Sequence, residues 1–131
     1  MILWLARSAM VTLYPRTDAF PGIEDMDLDA YLLDYKRECA TVMWIGFVLG
    51  TLLYHLTPLL TVLVPLPAFA LSERLQALHA ERLVSHPVYL VRQPVFLLKM
   101  VAGLRWGSDP RVRERFALAP YPADPGTRRL A

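Results

Sequence analysis

Cysteine occurs once in the 131 residues, at Cys39, so the chain holds no intrachain disulfide and no cysteine-based metal cluster. Glycine is scarce, with six in all. None of them lies in a glycine-rich turn between a strand and a helix, which removes the phosphate cradle that a nucleotide fold needs. No Gly-x-Ser-x-Gly elbow and no Cys–His pairing suited to nucleophilic catalysis is present. No internal repeat is visible. The largest absence is of charge: from Cys39 to Ser72 there is no Asp, Glu, Lys or Arg, and Tyr54 and His55 are the only titratable side chains besides Cys39.

That charge-free stretch is the feature around which the rest is arranged. It covers 34 positions, from 39 to 72 inclusive, and about 20 apolar residues suffice to cross a bilayer core. A helix buried in a small globular domain usually keeps one wet face. The chain is also 55% hydrophobic with a mean hydropathy of +0.33, above the roughly 45–50% apolar content of ordinary soluble domains. The expectation is a membrane segment beginning near Ala40 and reaching Leu56, then bent or broken at Pro58, because proline removes a backbone donor and crowds the preceding turn. Two architectures follow: one long kinked helix leaving near Pro65-Leu66-Pro67, or a re-entrant or monotopic shape. The first is simpler and is the expectation. Within the segment Trp44 stands near one end, and Gly46-x-x-x-Gly50 is a small-residue spacing that lets a second helix approach closely. His55 reads as a neutral, hydrogen-bonded imidazole near the interface. A bis-histidine haem site would need a second histidine at matching depth.

The flanks differ in charge. Residues 1–38 carry four basic against seven acidic side chains, a net of −3, and residues 73–131 carry ten against five, a net of +5. A Lys/Arg excess marks the cytoplasmic side of a span, so the C-terminal side is expected in the cytoplasm, the membrane being a bacterial inner membrane. Residues 1–13 are apolar with Arg7 as the one charge, and they make a poor secretory signal because no basic residue precedes a short apolar core. They read either as a short surface helix or as a loose terminus. The acidic run Glu24, Asp25, Asp27 and Asp29 lacks the glycine and terminal glutamate of a calcium loop, and reads as a solvated helix start. Leu28, Tyr31, Leu32 and Tyr35 continue it at helical spacing, with Asp27 as N-cap.

Beyond Ser72, a further N-cap, Leu71, Leu75 and Leu78 line one face of a short helix that ends at Ser85-His86-Pro87. A metal site from His79 and His86, seven apart, would require that helix to continue. Arg92, Lys99 and Arg105 interrupt the apolar run from Val88 to Trp106 and make a second span costly. A helix from Pro94, with Phe96, Leu97, Met100, Val101 and Leu104 inward and Gly107 as its terminating residue, fits better. Asp109-Pro110 starts another by N-cap and first-position proline. Arg111, Arg113 and Arg115 alternate and form no tight phosphate clamp. Lipid or an acidic protein surface suits them better than nucleic acid. Pro120, Pro122 and Pro125 leave the tail extended.

The helix Lys99-Met100-Val101-Ala102-Gly103-Leu104, then Trp106-Gly107-Ser108-Asp109-Pro110, Val112 and Arg115-Phe116, resembles small helical proteins associated with glucose-methanol-choline flavin oxidoreductases. These are the gluconate-dehydrogenase small-subunit-like chains, found also as N-terminal extensions of long-chain alcohol oxidases. The resemblance implies a non-catalytic subunit that docks a large flavin subunit at a membrane, through Lys99, Trp106, Asp109, Pro110 and Arg111, the flavin belonging to the partner. The expectation is therefore an all-α accessory chain that binds no cofactor of its own. Its segments are 1–38, an apolar start and acidic helix; 39–72, membrane-embedded; 73–117, basic and partner-docking; and 118–131, an extended tail. The alternative is a structural subunit of a larger energy-transducing or photosynthetic membrane assembly.

Overall fold

The computed structural model describes residues 1–123 and 125, so part of the tail expected to be extended lies outside the described residues. Among the described residues seven α-helices follow one another: α1 (Ile2–Leu13), α2 (Leu28–Glu38), α3 (Thr41–Leu56), α4 (Pro58–Thr61), α5 (Glu73–Val84), α6 (Tyr89–Ser108) and α7 (Pro110–Arg115), with short 3-10 turns at Ile23–Asp25 and Ala68–Ala70. Among the described residues there is no strand. The all-α class is as expected.

The stretch expected to be a membrane segment takes a different form. Instead of one long kinked helix, α3 stops at Leu56, α4 adds a single turn, and the chain folds back through Pro65 and Pro67 into α5. At 16 residues and about 1.5 Å of rise each, α3 is about 24 Å long, short of the roughly 30 Å hydrocarbon core. Among the described residues no single helix is long and apolar enough to cross a membrane. Only α5 and α6 taken together pass on length and composition, and they meet at 114°. The flanks also refuse to be separated. α1 packs on α3, α5 and α6, and the Tyr31 hydroxyl of α2 donates to the Val101 carbonyl of α6 at 2.9 Å. Residues 1–38 and 73–117 thus share one bundle, a contact that a bilayer between them would forbid. α1 is no loose terminus: Ala6, Ala9 and Met10 are buried in the core.

Pro58 ends α3, and the chain leaves the helical path after Val62, at Leu63 in the left-handed conformation. With no N–H, Pro58 cannot bond the Tyr54 carbonyl one turn earlier, and that buried acceptor needs another donor. His79 supplies it, Nε2 lying 2.6 Å from the Tyr54 oxygen. The face of α5 that turns fully inward is therefore His79, Ala80 and Leu83, with His79 completely buried; of the Leu71–Leu75–Leu78 line suggested by leucine spacing, Leu71 is buried while Leu75 and Leu78 are only half-buried. A polar requirement at the proline corner sets the rotation of this helix.

α3 and α6 form the most extensive helix pair, and the glycines of α3 are its seam. A β-carbon on Gly46 would lie 2.8 Å from the Leu97 Cδ2, and one on Gly50 would overlap the Pro94 carbonyl oxygen. The close-packing role expected of this spacing holds, within one chain. α6 meets that seam with Pro94 and Leu97; Val95, Leu98, Val101 and Ala102 are buried, while Phe96, Met100 and Leu104 stay outside. Three of the five residues expected inward, Phe96, Met100 and Leu104, thus face out. Pro94 does not start α6. The helix begins at Tyr89, and Pro94 forgoes a bond only to the carbonyl of the exposed Leu90. Nor does Gly107 end it. The terminating residue is Asp109 in extended conformation.

Candidate docking surface

One side of α3 is built into the bundle through Phe47, Gly50, Thr51, Tyr54 and His55. The other is bare. Val42, Ile45, Leu49, Leu52 and Leu56 recur every three or four residues, which on a helix makes one stripe, and all five are exposed, Val42 by 74% and Leu56 by 71%. Leu59, Leu60 and Leu63, past the corner, add further exposed leucines. Soluble monomers seldom show contiguous apolar surface beyond a few hundred Å². At the C-terminal end of α3, Phe69 lies 5.6 Å from the His55 ring and 5.4 Å edge-on from Trp4, centroid to centroid. At the other end Trp44 stacks on Phe47 at 5.6 Å and takes the Lys36 ammonium at 5.8 Å from its ring.

The corner behind this face carries the densest buried polar chemistry. Because the Tyr54 carbonyl can only accept, His79 holds its proton on Nε2, and Nδ1 accepts from the Thr61 hydroxyl at 2.5 Å. Arg82 then donates to the Thr61 carbonyl at 2.6 Å. His55 gives its Nε2 proton to the Leu5 carbonyl of α1 at 2.8 Å, leaving Nδ1 buried with no partner. The Tyr54 ring stands between the two imidazoles, at 5.2 Å from one and 4.9 Å from the other. Burial lowers the affinity of both histidines for a second proton. The carbonyl bond of each opposes the shift, and the neighbouring His55 adds to it at His79. Linear spacing had paired His79 with His86 and left His55 without a neighbour. The fold brings His55 and His79 together, but it spends both Nε2 atoms on carbonyl groups. Among the described residues no group of three or more His, Cys, Asp and Glu is placed to hold a metal ion. The acidic run is occupied as well, Asp25 with Arg16 through Arg16 Nε at 3.0 Å and Asp29 with Arg7 at 3.5 Å.

A second bare stripe runs along α6 through Phe96, Met100 and Leu104. Beside it lies an open groove of about 560 Å³ lined by Tyr14, Gln93, Phe96, Leu97, Lys99 and Met100. Of the residues singled out for docking, Lys99 alone belongs to this groove. Trp106 turns inward among Tyr14, Phe20 and Phe116, its indole donating to the Pro21 carbonyl at 3.1 Å. Asp109 caps α7 by accepting from the Arg111 amide at 2.9 Å, with Pro110 at the first helical position. The Arg111 guanidinium folds back on the Asp109 carboxylate at 3.0 Å and holds it below the usual carboxylate range. The motif from 106 to 111 therefore forms a corner that fixes α7 against α6. The outward stripe of α6 was missed because its large apolar residues read as core. Compared with protein-family models, curated proteins and solved structures, the chain matches none.

Proposed function

We propose that this chain is a non-catalytic accessory subunit that anchors and stabilises a membrane-bound oxidoreductase complex. The observation that carries the reading is the pair of uncovered apolar stripes, on α3 and on α6. A bundle that has already closed its core, yet leaves two such faces bare, is shaped for other surfaces to complete. The α6 stripe with Lys99 is the face for a larger protein subunit, and the α3 stripe is the face for the membrane. The flavoprotein nature of the partner rests on the resemblance of residues 99–116 to the chains that accompany glucose-methanol-choline oxidoreductases. The flavin and the chemistry belong to that partner.

The test is purification of the tagged chain in mild detergent, with an absorption spectrum and mass spectrometry of what accompanies it. A large partner with flavin bands is the expected result. Haem or pigment bands without flavin would transfer the chain to a structural role in an energy-transducing assembly, and a bare small protein would defeat the subunit reading. Exchanging Met100 for Glu on the α6 stripe should release the partner while the bundle stays folded.

A further inference from the structure

We infer that the bare face of α3 lies in the acyl layer of a single leaflet, so that the chain is held in the plane of the membrane and does not cross it. The inference rests on the anchoring half of the reading above and is independent of its flavoprotein half.

Three observations choose lipid over a protein partner. The first is the chemistry of the stripe: Val42, Ile45, Leu49, Leu52 and Leu56 are all aliphatic, and no charged side chain occurs between positions 39 and 72. Protein interfaces concentrate Tyr, Trp and Arg at their centres, and this stripe has none. Hydrocarbon chains ask only for aliphatic surface. The second is the border. Trp4 with Phe69 stands at one end, and Trp44 with the Lys36 ammonium at the other, the aromatic and basic types that settle at the headgroup level. The third is one-sidedness. The opposite side of α3 buries Thr51, Tyr54 and His55 against the bundle, so only one face is free, as in helices that lie at the interface. A crossing helix would need lipid on every side that protein does not cover, and α3 is too short for it.

The in-plane geometry predicts sidedness. Asp18, before α2, and Ser85, after α5, are both exposed, and both stay on the aqueous side. The full chain, with Cys39→Ser to remove the native thiol, is added to preformed phosphatidylcholine vesicles and floated on a density gradient. In the Asp18→Cys and Ser85→Cys versions, a thiol reagent that cannot cross the bilayer labels both sites from outside. In the Leu49→Cys version, a polarity-sensitive fluorophore shifts to the blue on vesicle addition and is quenched by acyl-chain nitroxides. In the Leu104→Cys version it is not. The double substitution Ile45→Asp with Leu52→Asp touches only exposed positions, so helical circular dichroism stays unchanged while the vesicle-bound fraction falls by at least about tenfold, because each carboxylate must keep its water.

Failure to float, undiminished flotation of the double variant, or protection of one of the two thiol sites would each overturn the inference. So would a Leu49 fluorophore that is already shielded without vesicles by a second copy of the chain. A chain that floats and brings no flavoprotein keeps this inference and loses the flavoprotein half of the reading. One that copurifies with flavin but never floats does the reverse.

Discussion

Replacing the helical glycines one at a time with alanine separates the packing argument from helix propensity. Each exchange gains up to about 0.8–1 kcal/mol from the backbone entropy of the unfolded chain. What the new methyl meets differs from site to site. At Gly107 nothing lies within 4 Å, so the gain survives, about 0.5–1 kcal/mol given its place in the last turn. At Gly46 the obstacle is the Leu97 Cδ2 at 2.8 Å, the far end of a flexible side chain. Its displacement costs about 1 kcal/mol, which leaves stability near its starting value. At Gly50 the obstacle is the Pro94 carbonyl, backbone that can move only if α3 and α6 separate. Overpacking of that kind costs up to about 3 kcal/mol, for a net loss of about 2. With about 2.1 cal/mol/K of unfolding entropy per residue, 1 kcal/mol moves the midpoint by about 4 °C in a chain of this length. Thermal unfolding followed by circular dichroism in mild detergent should therefore place Gly107→Ala about 2–4 °C above the parent, Gly46→Ala within about 2 °C of it, and Gly50→Ala about 8 °C below. A Gly50→Ala midpoint at or above that of Gly107→Ala would refute the close α3–α6 seam.

Three further outcomes follow from the proline corner and the caps. His79→Leu strands the Tyr54 carbonyl, while the Thr61 hydroxyl keeps the Thr57 and Pro58 carbonyls at 3.4 Å, and should cost about 1–3 kcal/mol. In a Pro58→Ala background, where an N–H returns to Tyr54, the same change should cost at least about 1 kcal/mol less, and strict additivity in urea unfolding would remove the sealing role. Because burial lowers both His55 and His79 from their ordinary 6.5, the unfolded chain takes up protons first. Stability is then complete above about pH 6.5 and falls on acidification until the folded values are passed, by up to about 1.4 kcal/mol per pH unit for each histidine. A flat stability profile from pH 7 to pH 5 would contradict it. Asp109→Ala removes the α7 cap and should cost about 1 kcal/mol. The contribution of that carboxylate belongs to a lower window, lost as the pH falls below the ordinary 3.8.

The helical class was readable from spacing, and so were the breaks at Pro58 and Pro87, the Asp109-Pro110 start and the glycine seam, because each depends on a local rule. What resisted reading was rotation and return. A stripe of five aliphatic residues looks the same whether it faces a core or lipid, and on α6 the outer stripe of Phe96, Met100 and Leu104 is as apolar as the buried one. His79 gave no signal of its role in linear sequence, since its partner carbonyl lies 25 positions away and is freed by a proline that belongs to neither. The 34 uncharged residues measured hydropathy correctly, but they did not report that the chain would double back.

The sealing of that corner also sets an order in time. Residues 41–61 leave the ribosome before α5 and α6 exist. At that stage the inner side of α3 is uncovered by α5 and α6, its glycine seam is empty, and the Tyr54 carbonyl lacks its His79 donor. Addition of residues 73–84 closes the corner, and only α6, some 20 residues later, covers the seam. For that interval the nascent chain presents the hydropathy profile of a membrane segment, and afterwards that of a one-faced helix. A translation intermediate stalled between the two should therefore be held more tightly by hydrophobic-segment receptors and membranes than the finished protein is.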